Sequence, residues 1–262
     1  MMSGRTRVRQ PAAAGTFYPG GADDLAGMVD DLLGSAKPVE GALPRAIIVP
    51  HAGYPYSGPV AATAFTPLRG SGIGRVAILG PAHFVRLRGS AVPAVDAWRT
   101  PLGDVPIDAE LRETAAGLGA LVDDAPHEPE HSLEVQLPFL QRVLGDAFSV
   151  LPVGVGRSSP GEVAELIAAL LPMAFVVVST DLSHYQDDAT AKVLDRRTAD
   201  AVLAREPDAI GSEDACGVDA LRGIVELARR DELDVCVLDL RTSADTAGDP
   251  WRVVGYGAFA IG

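Results

Sequence analysis

Three short apolar runs constrain this chain most: Arg45–Pro50, Arg75–Leu79 and Phe175–Ser179. Each is dominated by Ile, Val, Leu or Ala, with no polar residue alternating through it. That pattern marks strands buried on both faces, as in parallel sheets covered by helices. Helical stretches separate and follow them. We expect helices capped by Asp23 or Asp24 and running to about Leu33, then near Val60–Phe65, Ile107–Leu118, Ser132–Leu144, Pro160–Leu171, Asp188–Ala204 and Cys216–Arg229. Further strands are expected at Phe148–Val155, Asp234–Leu240 and Val253–Ile261. This alternation predicts a three-layer α/β/α fold with a mostly parallel central sheet. No linker or repeat interrupts it, so one domain over residues 1–262 is expected.

Each of the three runs ends in a histidine-bearing turn: Pro50-His51-Ala-Gly, Gly80-Pro-Ala-His83 and Ser179-Thr-Asp-Leu-Ser-His184. Parallel strands present their carboxyl ends along one edge of the sheet, where open α/β folds bind ligands. Three of the five histidines, remote in sequence, can therefore converge. Imidazole is the commonest transition-metal ligand and titrates near neutrality. The alternative for any one of them is a hydrogen-bonded structural role. Gly53 and Gly80 would allow close backbone approach at these turns.

Composition narrows the possible functions. The formal net charge of −13 opposes binding to nucleic acid and to anionic membrane. The basic stretch at residues 1–10 has no apolar segment behind it, and no apolar run reaches the roughly 20 residues of a membrane span. The two cysteines cannot form a disulfide framework, so the expectation is a cytoplasmic protein. Cys216 stands at the start of an expected helix, a position that favours the thiolate, a third and anionic ligand. Its alternative is a small buried hydrophobe. Cys236, inside a Val/Leu run, is expected in the core.

Other motifs carry less. His127-Glu-Pro-Glu-His131 spells HExxH, but Pro129 prevents the two histidines from sharing a helix face, which removes the zinc-protease reading. His131 can still face a pocket or stabilise its turn. The glycine-rich stretch Gly70–Gly74 precedes a strand, so it is no dinucleotide fingerprint. No Walker sequence or GxSxG elbow is present.

Taken together, Ala14-Gly-Thr-Phe-Tyr18, Ala46–Tyr54, Ile78–His83, Trp98–Leu102, Glu130-His131-Ser-Leu-Glu134, Ser179–His184, Cys216-Gly217 and Gly255-Tyr256 resemble the Memo family, whose prokaryotic members are called AmmeMemoRadiSam system protein B. The resemblance runs in order across nearly the whole chain. It implies the fold of class III non-haem iron extradiol dioxygenases. It also implies a metal held by His51, His83 and Cys216, with His184, Asp181 and His131 as the acid/base candidates of the pocket. Iron (Fe2+) or copper is the implied ion, ahead of zinc. Cysteine in place of the dioxygenase glutamate counts against ring cleavage. Two functions follow as alternatives: a metal-dependent redox enzyme on a small molecule or peptide, or a non-catalytic peptide-binding module that kept the pocket. A zinc hydrolase is a third. The system name points to radical-SAM and AMMECR1-like proteins as partners. After Gly217 the chain reads Val-Asp-Ala, unlike the eukaryotic members.

Overall fold

A computed structural model describes residues 6–39 and 41–262; the first half of the basic N-terminal stretch lies outside the described residues. The chain begins with β1 (Val8–Arg9), α1 (Ala22–Ser35), β2 (Ala46–Val49), α2 (Tyr54–Phe65) and β3 (Arg75–Pro81). Short elements follow: β4 (Ser90–Val92), β5 (Ala97–Thr100), β6 (Gly103–Pro106), α3 (Ala109–Gly117) and β7 (Leu121–Val122). Then come α4 (Leu137–Leu144), β8 (Ser149–Val155), α5 (Pro160–Leu170), β9 (Phe175–Ser179) and β10 (His184–Gln186). The chain closes with α6 (Asp188–Leu203), α7 (Val218–Arg230), β11 (Val235–Thr242) and β12 (Val253–Ile261).

The three apolar runs became β2, β3 and β9. With β8 they form the parallel centre of the main sheet, in the order β2-β9-β3-β8. Almost every residue of these strands is buried, which is why their side chains do not alternate in polarity. Antiparallel pairing takes over toward the margins: β12 joins β2, β10 and β11 pair with β12, and β4 joins β8. Helices cover the sheet: α2 packs on β2, β11 and β12, while α7 packs on β3 and β9 and α6 on β11 and β12. The expected α/β/α layering is met. A separate small sheet, β1-β5-β6, holds the N-terminal segment.

Register decides where the strands deliver their turns. Ile48 lies opposite Val178, Val178 opposite Leu79, and Leu79 opposite Val153. The carboxyl ends of β2, β3 and β9 therefore finish side by side. Gly80 makes this approach possible: a Cβ there would lie 2.9 Å from Leu133 Cδ2 and 3.1 Å from the Ser179 carbonyl oxygen.

Several local expectations are refined. Helix α1 is capped by the Gly21 backbone without a side-chain bond, so Asp23 and Asp24 sit in its first turn. The stretch after Ser132 opens as a short 3-10 turn, Glu134–Gln136, before α4. Helix α5 begins with Pro160 behind a Ser159/Glu162 capping box. Cys236 is exposed, because β11 is a marginal strand and not a central one.

One buried ion pair ties the N-terminal segment to the rest. Arg9 Nη1 lies 2.6 Å from Glu134 Oε2, with both side chains almost fully enclosed. Glu134 also accepts from the Ala12 and Ala13 backbone N–H groups and the Tyr18 hydroxyl. Arg9 donates further to the carbonyls of His127 and Glu130, at 2.7 and 2.6 Å, and stacks on Trp98. Removing one partner would strand the other charge away from water. Glu134→Ala should therefore cost about 3–5 kcal/mol in urea unfolding; a loss under about 1 kcal/mol would mean the pair is not integral to the fold.

Candidate functional site

The turns after β2, β3 and β9 line one cavity of about 640 Å3, with His51, His83, His131, Asp181, His184 and Cys216 on its walls. Among the described residues, one ligand atom each from His51, His83 and His131 lies within 4.8 Å of the others, close enough for a single ion. The His51 and His83 ring centroids are 5.3 Å apart, and the His83 and His131 rings stack at 4.9 Å. Phe17 closes the other face of His131 at 4.2 Å.

Hydrogen bonds behind the rings fix how they face the cavity. Ser179 Oγ donates to the Ser132 carbonyl at 2.7 Å, so its lone pairs accept from Gln136 Nε2 and from His51 Nδ1, both at 2.9 Å. This holds the proton of His51 on Nδ1 and turns the Nε2 lone pair toward the pocket. His83 Nδ1 donates to Glu130 Oε1 at 2.9 Å, while its backbone N–H donates to Oε2 at 2.6 Å. His184 Nδ1 donates to the Leu182 carbonyl at 2.7 Å. In all three rings Nδ1 is thus occupied, and Nε2 is the nitrogen left for the cavity. His131 differs: its Nδ1 lies 3.4 Å from Glu130 Oε1 without hydrogen-bond geometry and has no partner although buried.

Electrostatics keep these donors ready for a cation. Burial, with the neighbouring histidines adding to it, holds the His51 pKa well below the ordinary imidazole value. Burial likewise lowers His131 to about 4, against the opposing pull of Glu130. Glu130 is itself buried, which pushes its carboxyl up. The His83 hydrogen bond and charge and the backbone donors of Ser132 and His83 outweigh that and bring it down to about 2. Glu130 is therefore a fixed negative charge behind the site. Asp181 is the opposite case: burial raises it to about 7, although the His51 backbone N–H donates to its Oδ1 at 2.7 Å.

Cys216 enters from the loop before α7. Its Sγ lies 3.2 Å from His51 Nε2 and 3.3 Å from the Asp181 backbone N–H. Gly217 permits this packing, since a Cβ there would come within 2.9 Å of the Ser179 carbonyl oxygen. The expected thiolate is corrected. Burial, with Asp181 adding its charge, pushes the thiol up to about 12, overriding the helix N-terminus. Without an ion, the group is a thiol that donates to His51 Nε2.

All six residues singled out in the sequence thus border one cavity, with His131 drawn into the closest set of nitrogens. His127 does not join them. It is buried against Trp98 at 5.6 Å, outside any helix shared with His131. Glu130, Ser179, Gln136 and Phe17 were not singled out as site residues. Glu130 had a readable signal, a carboxylate directly preceding His131. Ser179 and Gln136 had none, because their roles depend on bonds across the fold.

The donor chemistry fits a transition ion: a buried, a half-buried and an exposed imidazole, one with an orphaned nitrogen, and a sulfur beside them. Magnesium and calcium, which take oxygen ligands, do not suit it. Among the described residues, no helix is long and apolar enough to cross a membrane.

Comparison with known proteins agrees with the sequence motifs. A Memo-like protein family matches residues 9–260. The chain is 38% identical to a MEMO1 family protein of Aquifex aeolicus, covering 95% of this chain and 97% of that one. It is 36% identical to a MEMO1 family protein of Thermotoga maritima, over 95% and 97% of the two chains. A Methanopyrus kandleri MEMO1 family protein is 35% identical over 97% and 98%. Among solved structures, an uncharacterized protein from Escherichia coli K12 superposes with a TM-score of 0.52 at 12% identity, over 83% of this chain and 99% of that one, and so shares the fold. The chain belongs to the Memo-like family.

Proposed function

We propose that this protein is a metal-dependent redox enzyme that holds iron or copper and acts on a small molecule or peptide. The observation that carries the reading is the mutual approach, within 4.8 Å, of ligand atoms on His51, His83 and His131. Those three imidazoles would hold the ion, and Cys216, already beside His51, would add a soft fourth donor. A nitrogen and sulfur set suits Fe(II), copper and zinc. The Ser179 and Glu130 bonds behind the rings favour an arrangement kept ready for loading. Iron or copper bound there would supply one-electron chemistry, which zinc cannot.

The other residues would serve the substrate. Asp181, with a pKa of about 7, can hold a proton or give one up at neutral pH. His184, tied through Nδ1 to a carbonyl, offers Nε2 as an acceptor on the cavity wall. Phe17 and Tyr185 border the cavity and would pack against the substrate's apolar part. We place radical-SAM and AMMECR1-like proteins as functional partners on the strength of the family resemblance.

Anaerobic loading followed by metal analysis tests the reading. The wild-type chain should retain about one iron or copper ion, and His51→Ala should lose it. Glu130→Gln, which touches no ion, should weaken binding by roughly 10–100-fold. An ion bound equally well by all three proteins, or one that does not change oxidation state with ascorbate and air, would overturn the proposal.

Calorimetry in buffers of different ionisation enthalpy gives a second test, on Cys216. A thiol near 12 that becomes a ligand at pH 7 must release its proton. Loading should therefore liberate about one proton per ion more from the wild type than from Cys216→Ser. His51 and His131 contribute none, being neutral well above their lowered pKa values. Equal release from both proteins would remove Cys216 from the ligand set.

A further inference from the structure

Strand β11 lies at the margin of the main sheet. It pairs with β12 alone, so among the described residues its outer edge has no partner strand. An unpaired edge is a template for another extended segment. The two faces of β11 differ. Asp239 and Arg241 turn toward α2: the Thr63 hydroxyl donates to Asp239 at 3.4 Å, and Arg241 pairs with Asp239 at 2.7 Å. Thr242, one residue on, turns toward α6, where its hydroxyl donates to Asp188.

A cavity opens on each face. The first, about 660 Å3, lies beside α1 and α2 and is walled by Asp23, Asp24, Asp31, Met28 and Leu32. The second, about 500 Å3, lies beside α6 and is walled by Lys192, Val193, Arg196 and Leu240. Arg241 lines both, so the two cavities flank one strand. Val193 is 71% exposed there. Lys192 is already paired with Asp188 and Asp245. Arg196 has no acidic partner among the described residues.

Successive side chains of an added strand point to opposite faces. One set would meet the carboxylates of α1, the next an apolar wall carrying Arg196. A second copy of this chain fits poorly. Two β11 strands paired about a two-fold axis normal to the sheet bring like faces together, acidic α1 beside acidic α1. The net charge of −13 opposes that further. We propose that the outer edge of β11 docks an extended segment of a partner protein, with basic side chains facing α1 alternating with apolar or acidic ones facing α6.

Fluorescence anisotropy on the full chain tests this with labelled synthetic peptides of eight residues, the length of β11. The first peptide alternates Lys with Val and Glu. The second has the same composition with its Lys residues in a block. The third alternates but carries N-methyl groups on the amides that would face β11. The first should bind at least about tenfold more tightly than the others, and it alone should slow hydrogen exchange over residues 235–242. Charge reversal at two exposed positions, Asp23→Lys with Asp31→Lys, should weaken it about tenfold. Absent binding, equal binding of the three peptides, indifference to the double variant, or a dimer in sedimentation that protects residues 235–242 unaided would each overturn the proposal.

Discussion

The Arg9–Glu134 pair joins parts of the chain that no local interaction could bring together. Glu134 starts the turn into α4, just after Glu130 and His131; Arg9 belongs to the N-terminal segment that carries Phe17. Their bond, shared with the Ala12, Ala13 and Tyr18 donors, presses that segment against the loop behind the site. Phe17 then stacks on His131 and becomes one wall of the pocket. A buried ion pair is a weak source of net stability, but an unpaired charge in the same place is strongly unfavourable. The pair therefore acts mainly as a condition on register: either the segment lies where it does, or the charge has no partner.

On that frame, the site shows a division of labour. The parallel strands bring the histidines to one edge, and residues behind them decide what each ring offers. Ser179, Glu130 and the Leu182 carbonyl occupy the Nδ1 atoms of His51, His83 and His184. The nitrogens left over at His51 and His184 belong to rings whose burial disfavours protonation. Asp181 is held near neutrality by the same enclosure that lowers the histidines. Burial thus works in opposite directions on acids and bases, and the pocket contains both outcomes within a few residues.

Legibility in the sequence followed the range of the interactions. The runs at β2, β3 and β9 were readable because burial on both faces leaves an unbroken apolar string. Their turns, and with them His51, His83 and His184, followed from the parallel arrangement. The state of the ion-free Cys216 thiol was not legible, because a helix terminus is visible in sequence whereas enclosure of the thiol is not. Cys236 was misplaced for a related reason: a Val/Leu run looks alike in a central and a marginal strand. The pairing of Arg9 with Glu134 carried no signal, since two charged residues so far apart read as surface until the fold joins them.

The dispersal of the pocket has a thermodynamic corollary. His51 and Asp181 touch across 130 positions of chain, and the thiol comes from a loop later still. In the unfolded chain these groups are scattered imidazoles and a lone sulfur, with nothing to hold an ion jointly. Any ion taken up would then favour the native state by mass action, in proportion to the logarithm of its concentration. The supply of such an ion would then raise the fraction of this protein that survives heat and proteolysis.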